Sequence, residues 1–376
     1  MMSELALRYP PRSLVVSTGA HAGSAESDGR YPQQIDRVGI RATRLRTLHG
    51  LALWTWRASA LARASRPGFV WCGELKPAGY PARWLRARRG LPYGVILHGT
   101  ELLLLAEKSR RSLFKRRTAG SLLGHAAVAV ANSRWTGDLA RSVLEGLGRP
   151  DVPVEVVPLG TTPTHFRPGV DARAVRARYG LDGGRPWLLT VARLEWHKGI
   201  DTVIKALPAV RAAHPAARYA VAGVGPRLAH FERLAREMGV ADAVRFLGAI
   251  PDADLPAVYN AADLYVGASR RHELLVEGFG ISLVEASACG LAVVGGRSGG
   301  VPDAVREGET GILVDPDDPH AVAAGINTLL ADAGLRQRLG AAGRRAVETY
   351  YNWDRVAADL IRIDAAFRSP APSAAR

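Results

Sequence analysis

Glu277-Gly278-Phe279-Gly280-Ile281-Ser282-Leu283-Val284-Glu285 places two carboxylates eight positions apart around a Gly-aromatic-Gly turn that opens a helix. At ~3.6 residues per turn that offset spans a little over two turns, so a helix starting near Gly280 carries the second acid along its side while the first stays in the loop. Each end of an extended ligand can then meet one carboxylate. Between the acids, the first-turn N–H groups at Gly280, Ile281 and Ser282 offer a positive dipole end to an anion such as a diphosphate. Taken alone, the pattern also suits a helix N-terminus with acids for capping.

Around this segment the second half of the chain alternates short apolar runs with helical stretches. Trp187–Ala192 reads as a strand, followed by a helix from Gly199 to about Ala213. Tyr219–Ala222 is the next strand, with a helix around Leu228–Met238. Strands Val244–Phe246 and Leu264–Gly267 follow, then the helix after Gly280 and strands Ala292–Gly295 and Gly311–Val314. The first half repeats the rhythm less clearly. Its strand candidates are Ser13–Thr18, Phe69–Cys72, Val95–His98 and Val128–Ala131, with helical stretches around 50–66, 80–88, 101–117 and 135–145.

The proline-rich stretch Val152–Pro168 reads as a crossover linker and hinge. The fold class is therefore α/β, two Rossmann-like parallel-sheet domains facing across a cleft. The expected domains are 1–160 and 161–352. The helix 353–367, with Val356, Leu360, Ile363 and Phe367 at helical spacing, packs back on the first domain, and the tail 369–376 frays. In such a pair, ligand binds at the carboxyl ends of the strands.

Composition narrows the compartment and the partners. Cys72 and Cys289 are the only cysteines and form neither a disulfide framework nor a metal spacing, which points to a reducing cytoplasm. No stretch reaches the ~20 apolar residues that span a bilayer, and Met1 to Pro11 lacks a secretory pattern. Residues 1–150 hold 24 Lys and Arg against 9 Asp and Glu, whereas residues 151–376 hold 26 of each. The whole net charge of +15 thus lies in the first part, which points to an anionic partner there.

Two further groups carry chemistry. Ala192-Arg193-Leu194-Glu195-Trp196-His197-Lys198-Gly199 sets Arg193 and Lys198 beside a helix N-terminus, a clamp able to neutralise a diphosphate leaving group. His98, in Leu97-His98-Gly99-Thr100, stands at a strand end and is expected to donate a hydrogen bond to phosphate or sugar.

Together these residues resemble a family 4 glycosyltransferase of the GT-B architecture. Glu277 to Glu285 matches the family's E-x7-E segment, Arg193 with Lys198-Gly199 its clamp, and His98-Gly99 its N-domain histidine. Ser298-Gly299-Gly300-Val301-Pro302-Asp303 fits its Gly-Gly turn, Asn132-Ser133 its N-domain Asn-Ser, and Val156-Val157-Pro158-Leu159-Gly160 its hinge, where Thr162 stands in place of a frequent Asp. The resemblance implies a retaining, metal-independent hexosyltransferase with no cofactor, whose donor is a nucleotide-diphosphate sugar such as GDP-mannose or a UDP-hexose. By it, His98, Arg193, Lys198 and Glu277 are catalytic, with Glu277 at the donor sugar. Phe279, Gly280, Ile281 and Ser282 bind the donor through backbone, and Glu285 takes the ribose hydroxyls. Arg270-Arg271-His272-Glu273-Leu274-Leu275-Val276 resembles the subgroup acting on phosphatidylinositol mannosides, whose donor is GDP-mannose.

Family members open with a strand, a Gly-Gly loop and a helix. Here Leu14–Thr18 resembles the second strand and Met1–Arg8 the end of the helix before it, so the N-terminal domain is expected to be shortened by one βα unit. Either a start codon assigned too late or a natural truncation gives that pattern. The alternative function is then a catalytically impaired nucleotide-sugar-binding homologue.

Two strings are decoys. Asp315-Pro316-Asp317-Asp318 looks like a metal-binding DxD but precedes a helix near Pro319, where Asp serves as N-cap. Gly223-Val224-Gly225 lacks the third glycine of a dinucleotide fingerprint and reads as a tight turn near the base. On the acceptor side, His49 to Arg66 mixes Trp54 and Trp56 with Arg57, Arg63 and Arg66, and Leu102 to Arg117 runs from four leucines into six cations. Both suit an anionic membrane surface as well as amphipathic helices with solvated arginines. The implied acceptor is membrane-proximal, lipid-linked or a glycan, and the implied location cytoplasmic, peripheral on the inner face of the plasma membrane. Nucleic-acid binding is not expected, because the cations come without an aromatic platform or a recognisable module.

Overall fold

The apolar runs and helical stretches fold into two units, Met1–Val157 joined by the segment from Trp353, and Pro158–Asn352. The computed structural model describes residues 2–368 apart from 21, 22, 24, 25, 27 and 184; the tail expected to fray, 369–376, lies outside the described residues.

In the first unit, β1 (Val15–Ala20) and β2 (Gln34–Arg41) form a parallel pair. β3 (Val70–Cys72), β4 (Tyr93–Leu97), β5 (Val128–Ala131) and β6 (Val154–Val156) form a parallel sheet in that order. Every residue of β4 and β5 is buried, as continuous apolar runs require when helices cover both faces of a sheet. Around them pack Leu102, Leu105, Leu122, Leu123 and Leu144 from the flanking helices. The last helix, Trp353–Phe367, belongs to this unit: Trp71 Nε1 donates to Asp364 Oδ2 at 3.3 Å, and Arg8 Nε lies 3.2 Å from Asp354 Oδ1.

Three readings of this half need correction. β2 escapes the apolar pattern because its Asp36 is itself buried, and Arg57 of the helix Leu48–Ser65 reaches it at 2.5 Å. Arg57, itself half exposed, is thus tied into the fold through this ion pair. The single helix expected over 101–117 is two, Thr100–Arg111 and Leu113–Leu123; Ser112 is extended between them, and its side chain accepts from the Lys115 N–H at 3.4 Å. The linker expected from Val152 begins with β6, paired to β5 with Val130 opposite Glu155.

In the second unit β7 (Trp187–Val191), β8 (Arg218–Ala222), β9 (Val244–Gly248), β10 (Leu264–Gly267), β11 (Val293–Gly296) and β12 (Gly311–Val314) form one sheet, parallel throughout, in the order β12-β11-β10-β7-β8-β9. Successive residues serve opposite faces. Leu189 joins Trp187, Tyr259, Tyr265 and Phe279 in one core, and Leu188 joins Ile204, Tyr219, Phe231 and Val266 in the other. The strand order reverses between β7 and β10, so the loops after these two strands diverge and leave a crevice at their carboxyl ends. The helix Arg173–Tyr179 was not among the sequence candidates.

Candidate active site

The loop after β7 carries Arg193, which is exposed, and then a 3-10 turn, Trp196–Lys198. Gly199 follows with φ +66°, and a Cβ there would sit 1.8 Å from the Ala268 carbonyl oxygen, so only glycine lets this turn press on the end of β10. The approach sets Lys198 against the loop after β10. Its Nζ lies 2.5 Å from Glu277 Oε2, and Ser269 Oγ donates to the same oxygen at 3.3 Å. The Lys198 and Glu277 side chains are 16% and 19% exposed, leaving an ion pair half withdrawn from water yet still reachable.

Arg270 braces this arrangement. Its Nη2 lies 2.8 Å from Asp201 Oδ2, Nη1 donates to Thr202 Oγ1 at 2.7 Å, and Nε stands 3.3 Å from Asp317 Oδ1. Its backbone N–H donates to the His197 carbonyl at 2.9 Å. One guanidinium therefore ties the β10 loop to the turn bearing Lys198 and to the loop after β12. From the other side, the Gly300 N–H donates to the Glu277 carbonyl at 2.9 Å. Gly299, at φ +56°, has no room for a Cβ, which would meet that carbonyl oxygen at 2.3 Å.

The helix Ile281–Ala288 starts at Gly280, whose carbonyl accepts from the Leu283 N–H at 3.0 Å. The first-turn amides of Ile281 and Ser282 have no intrahelical acceptor and face the end of the helix. Phe279 is buried, with its ring in the core of this unit. Tyr265 fixes Ser282 by donating to its Oγ at 2.7 Å, and Tyr259 donates to Glu285 Oε2 at 2.7 Å. Burial pushes the Glu285 carboxyl up to about 7; the Tyr259 bond opposes the rise and Asp252 adds to it.

His197, beside Lys198, is buried, and its Nδ1 has no partner among the described residues. Burial, then the Lys198 charge, pushes it down to about 4, so the ring is neutral near pH 7.

His98 stands in the first unit, just past β4. Its N–H donates to the Glu101 carboxylate, and its Nε2 lies 3.1 Å from the Gly73 carbonyl, leaving Nδ1 as the available ring nitrogen. The second unit thus brings together Lys198, Glu277 and the start of the Ile281–Ala288 helix, with Arg193 on the same β7 loop and Glu285 along the helix. Sequence reasoning did not single out Tyr259, Tyr265, Ser269, His197 or the bracing part of Arg270. Tyr259 is 26 positions from Glu285, and no local pattern joins them.

Both decoys resolve. Asp318 caps the helix Pro319–Ala331 by accepting from the His320 N–H at 2.8 Å, and Asp317 meets Arg270. Among the described residues no group of three or more His, Cys, Asp or Glu is placed to hold a metal ion. The Gly223–Gly225 turn lies beside the β7 loop, where the Leu194 N–H donates to the Val224 carbonyl at 3.1 Å.

Comparison with known proteins adds independent findings. The family model described as glycosyl transferases group 1 matches residues 171–346, and the glycosyl transferase 4-like domain matches residues 3–160. A GDP-mannose-dependent alpha-(1-6)-phosphatidylinositol monomannoside mannosyltransferase of Mycolicibacterium smegmatis is 39% identical over 63% of this chain and 62% of its own length. The protein of the same description from Mycobacterium tuberculosis is 36% identical over 71% of this chain and 74% of its own. A GDP-mannose-dependent monoacylated alpha-(1-6)-phosphatidylinositol monomannoside mannosyltransferase of Corynebacterium glutamicum is 35% identical over 94% of this chain and 90% of its own. Among solved structures, the Anabaena HepE complex with UDP and glucose superposes with a TM-score of 0.75 at 20% identity, covering 97% of this chain and 94% of that one. Sucrose-phosphate synthase of Thermosynechococcus elongatus gives 0.70 at 24% identity, covering 89% and 83%. At these identities the structures speak for the fold alone.

Proposed function

This chain belongs to the family 4 glycosyltransferases of the GT-B fold, and on that premise we propose that it moves a hexose, of mannose or glucose type, from a nucleotide-diphosphate sugar to a membrane-proximal lipid-linked or glycan acceptor. The observation that carries the reading is the Lys198–Glu277 contact at the β7/β10 switch point, one loop away from the opening of the Ile281–Ala288 helix. A diphosphate set against the helix amides competes with Glu277 for the Lys198 ammonium, and Arg193 adds a second cation from the same loop. Release of Glu277 from Lys198 frees its carboxylate for the sugar hydroxyls. Glu285, farther along the helix, accepts from the two ribose hydroxyls.

Lys198, Arg193 and the amides stabilise the charge that develops on the leaving diphosphate as its bond to the anomeric carbon breaks. Transfer retains the anomeric configuration: the acceptor oxygen attacks from the face the phosphate leaves, and the departing phosphate oxygen takes the acceptor's proton. No metal and no cofactor enter this scheme, and His98 serves as a hydrogen-bond partner of donor or acceptor. GDP-mannose is the first donor to test, because the mycobacterial and corynebacterial relatives are described as dependent on it. The reading places the enzyme on the cytoplasmic side, peripheral to the membrane.

Calorimetric titration with GDP and UDP, then incubation with GDP-mannose or UDP-glucose and a lipid extract, tests the proposal. Transfer of labelled hexose into lipid is expected. Nucleotide binding with no transfer to any acceptor supports the nucleotide-sugar-binding homologue instead, and the absence of both sinks the proposal.

A further inference from the structure

The two helices that meet at Ser112 leave their apolar side chains in two different states. Leu102, Leu105, Leu122 and Leu123 are in the core, whereas Leu113 and Phe114, in the first turn of the second helix, are 75% and 79% exposed. Adjacent bare Leu and Phe side chains at a corner have no folding role, since the core is closed without them. They sit within a cationic collar: Lys108, Arg110, Lys115 and Arg117 are exposed, and among the described residues none of the four is paired with an acid. Arg111 differs, being paired with Glu107, and Arg116 Nη2 donates to the Gly146 carbonyl at 2.9 Å. Lys76 joins the collar in space, because Lys108 and Lys115 add to burial in pushing its ammonium below the ordinary value. Among the described residues no helix is long and apolar enough to cross a membrane.

We propose that the Leu113–Phe114 tip inserts into the interfacial layer of an anionic lipid surface, with Lys108, Arg110, Lys115 and Arg117 on the headgroups. Charge complementarity with apolar insertion selects this occupant. A nucleic acid would engage the cations and leave the Leu–Phe pair in water, and a bilayer satisfies both at once. The inference rests on the proposed acceptor being membrane-borne, and its test separates the two.

The full-length protein is sedimented with phosphatidylcholine vesicles and with vesicles also containing phosphatidylglycerol, at low and high salt. Binding to the anionic vesicles about tenfold stronger than to the neutral ones, and weakened by salt, is expected. Leu113→Ser with Phe114→Ser, two exposed positions, is expected to lower vesicle affinity roughly tenfold while leaving the GDP titration unchanged. Lys115→Glu with Arg117→Glu is expected to lower it comparably. Wild-type protein left in the supernatant, a Leu113/Phe114 variant that binds as wild type, or tighter binding to RNA than to anionic vesicles overturns the proposal. Loss of GDP binding by the wild type would defeat the donor reading and leave vesicle binding as a separate result.

Discussion

Glu285 shows how far one side chain's surroundings set its chemistry. Burial lifts its carboxyl to about 7, against the hydrogen bond from Tyr259. On the proposed reading, it is above that value a carboxylate able to accept from both ribose hydroxyls; below it, the proton occupies one oxygen and donor affinity is expected to fall. The donor KM is therefore expected to rise as pH drops through about 7. Glu285→Gln should raise KM roughly 10- to 100-fold, as expected for bonds to a charged group, and flatten that limb. Tyr259→Phe removes the hydroxyl that holds the carboxyl down, so the limb should move to higher pH. KM for the donor measured across the pH range decides both. His197 does not supply this limb, because at about 4 it stays neutral through the range. At Lys198 the expected effect falls on turnover. Lys198→Ala should cut kcat on the order of 100-fold at saturating donor, and Lys198→Arg should fail to restore it, since a planar fork replaces a compact charge.

The loops around the site hold their places through Arg270. It and Asp201 have side chains 11% and 8% exposed, so Arg270→Ala strands a buried carboxylate, and a loss of about 3–5 kcal/mol is expected. Thermal unfolding measures it, and adding Asp201→Asn should recover part. No local pattern announces this brace, because its partners are 69 positions apart. What was readable at this scale follows from physics that acts within a few residues. β10 and β12 are apolar runs closed by turn residues and take the bounds expected of them, and β7 differs by one residue at its end. β2 was not readable, because its buried Asp36 depends on Arg57 from a later helix. The break at Ser112 was hidden for a similar reason: the leucine and cation pattern runs through it, and only the cap bond to Lys115 reveals two helices. The site divides the same way. The acids, cations and glycines stood in the sequence as motifs, while Tyr259, Tyr265 and Ser269, which hold them in position, came from elsewhere in the fold.

At the scale of the molecule, two parallel-sheet units were legible because βα rhythm is a local signal repeated many times, and the expected return of the helix 353–367 to the first unit is also what the structure has. The second unit is one continuous segment, Pro158–Asn352, with a core on each face of its sheet; the first is discontinuous and needs the segment from Trp353. Truncation after Asn352 removes four large buried apolar side chains, Trp353, Val356, Leu360 and Ile363, together with buried Ala357 and Asp364. At about 1.5–3 kcal/mol for each of the four large side chains, the loss is roughly 6–12 kcal/mol, comparable to the whole stability of a domain. The first unit is therefore expected to lose its fold and the second to keep it. Limited proteolysis of the truncated chain should then digest residues before Pro158 and leave a resistant core from Pro158 onward that still binds GDP. Equal protection of both segments would show that the last helix contributes far less to the first unit than its burial indicates.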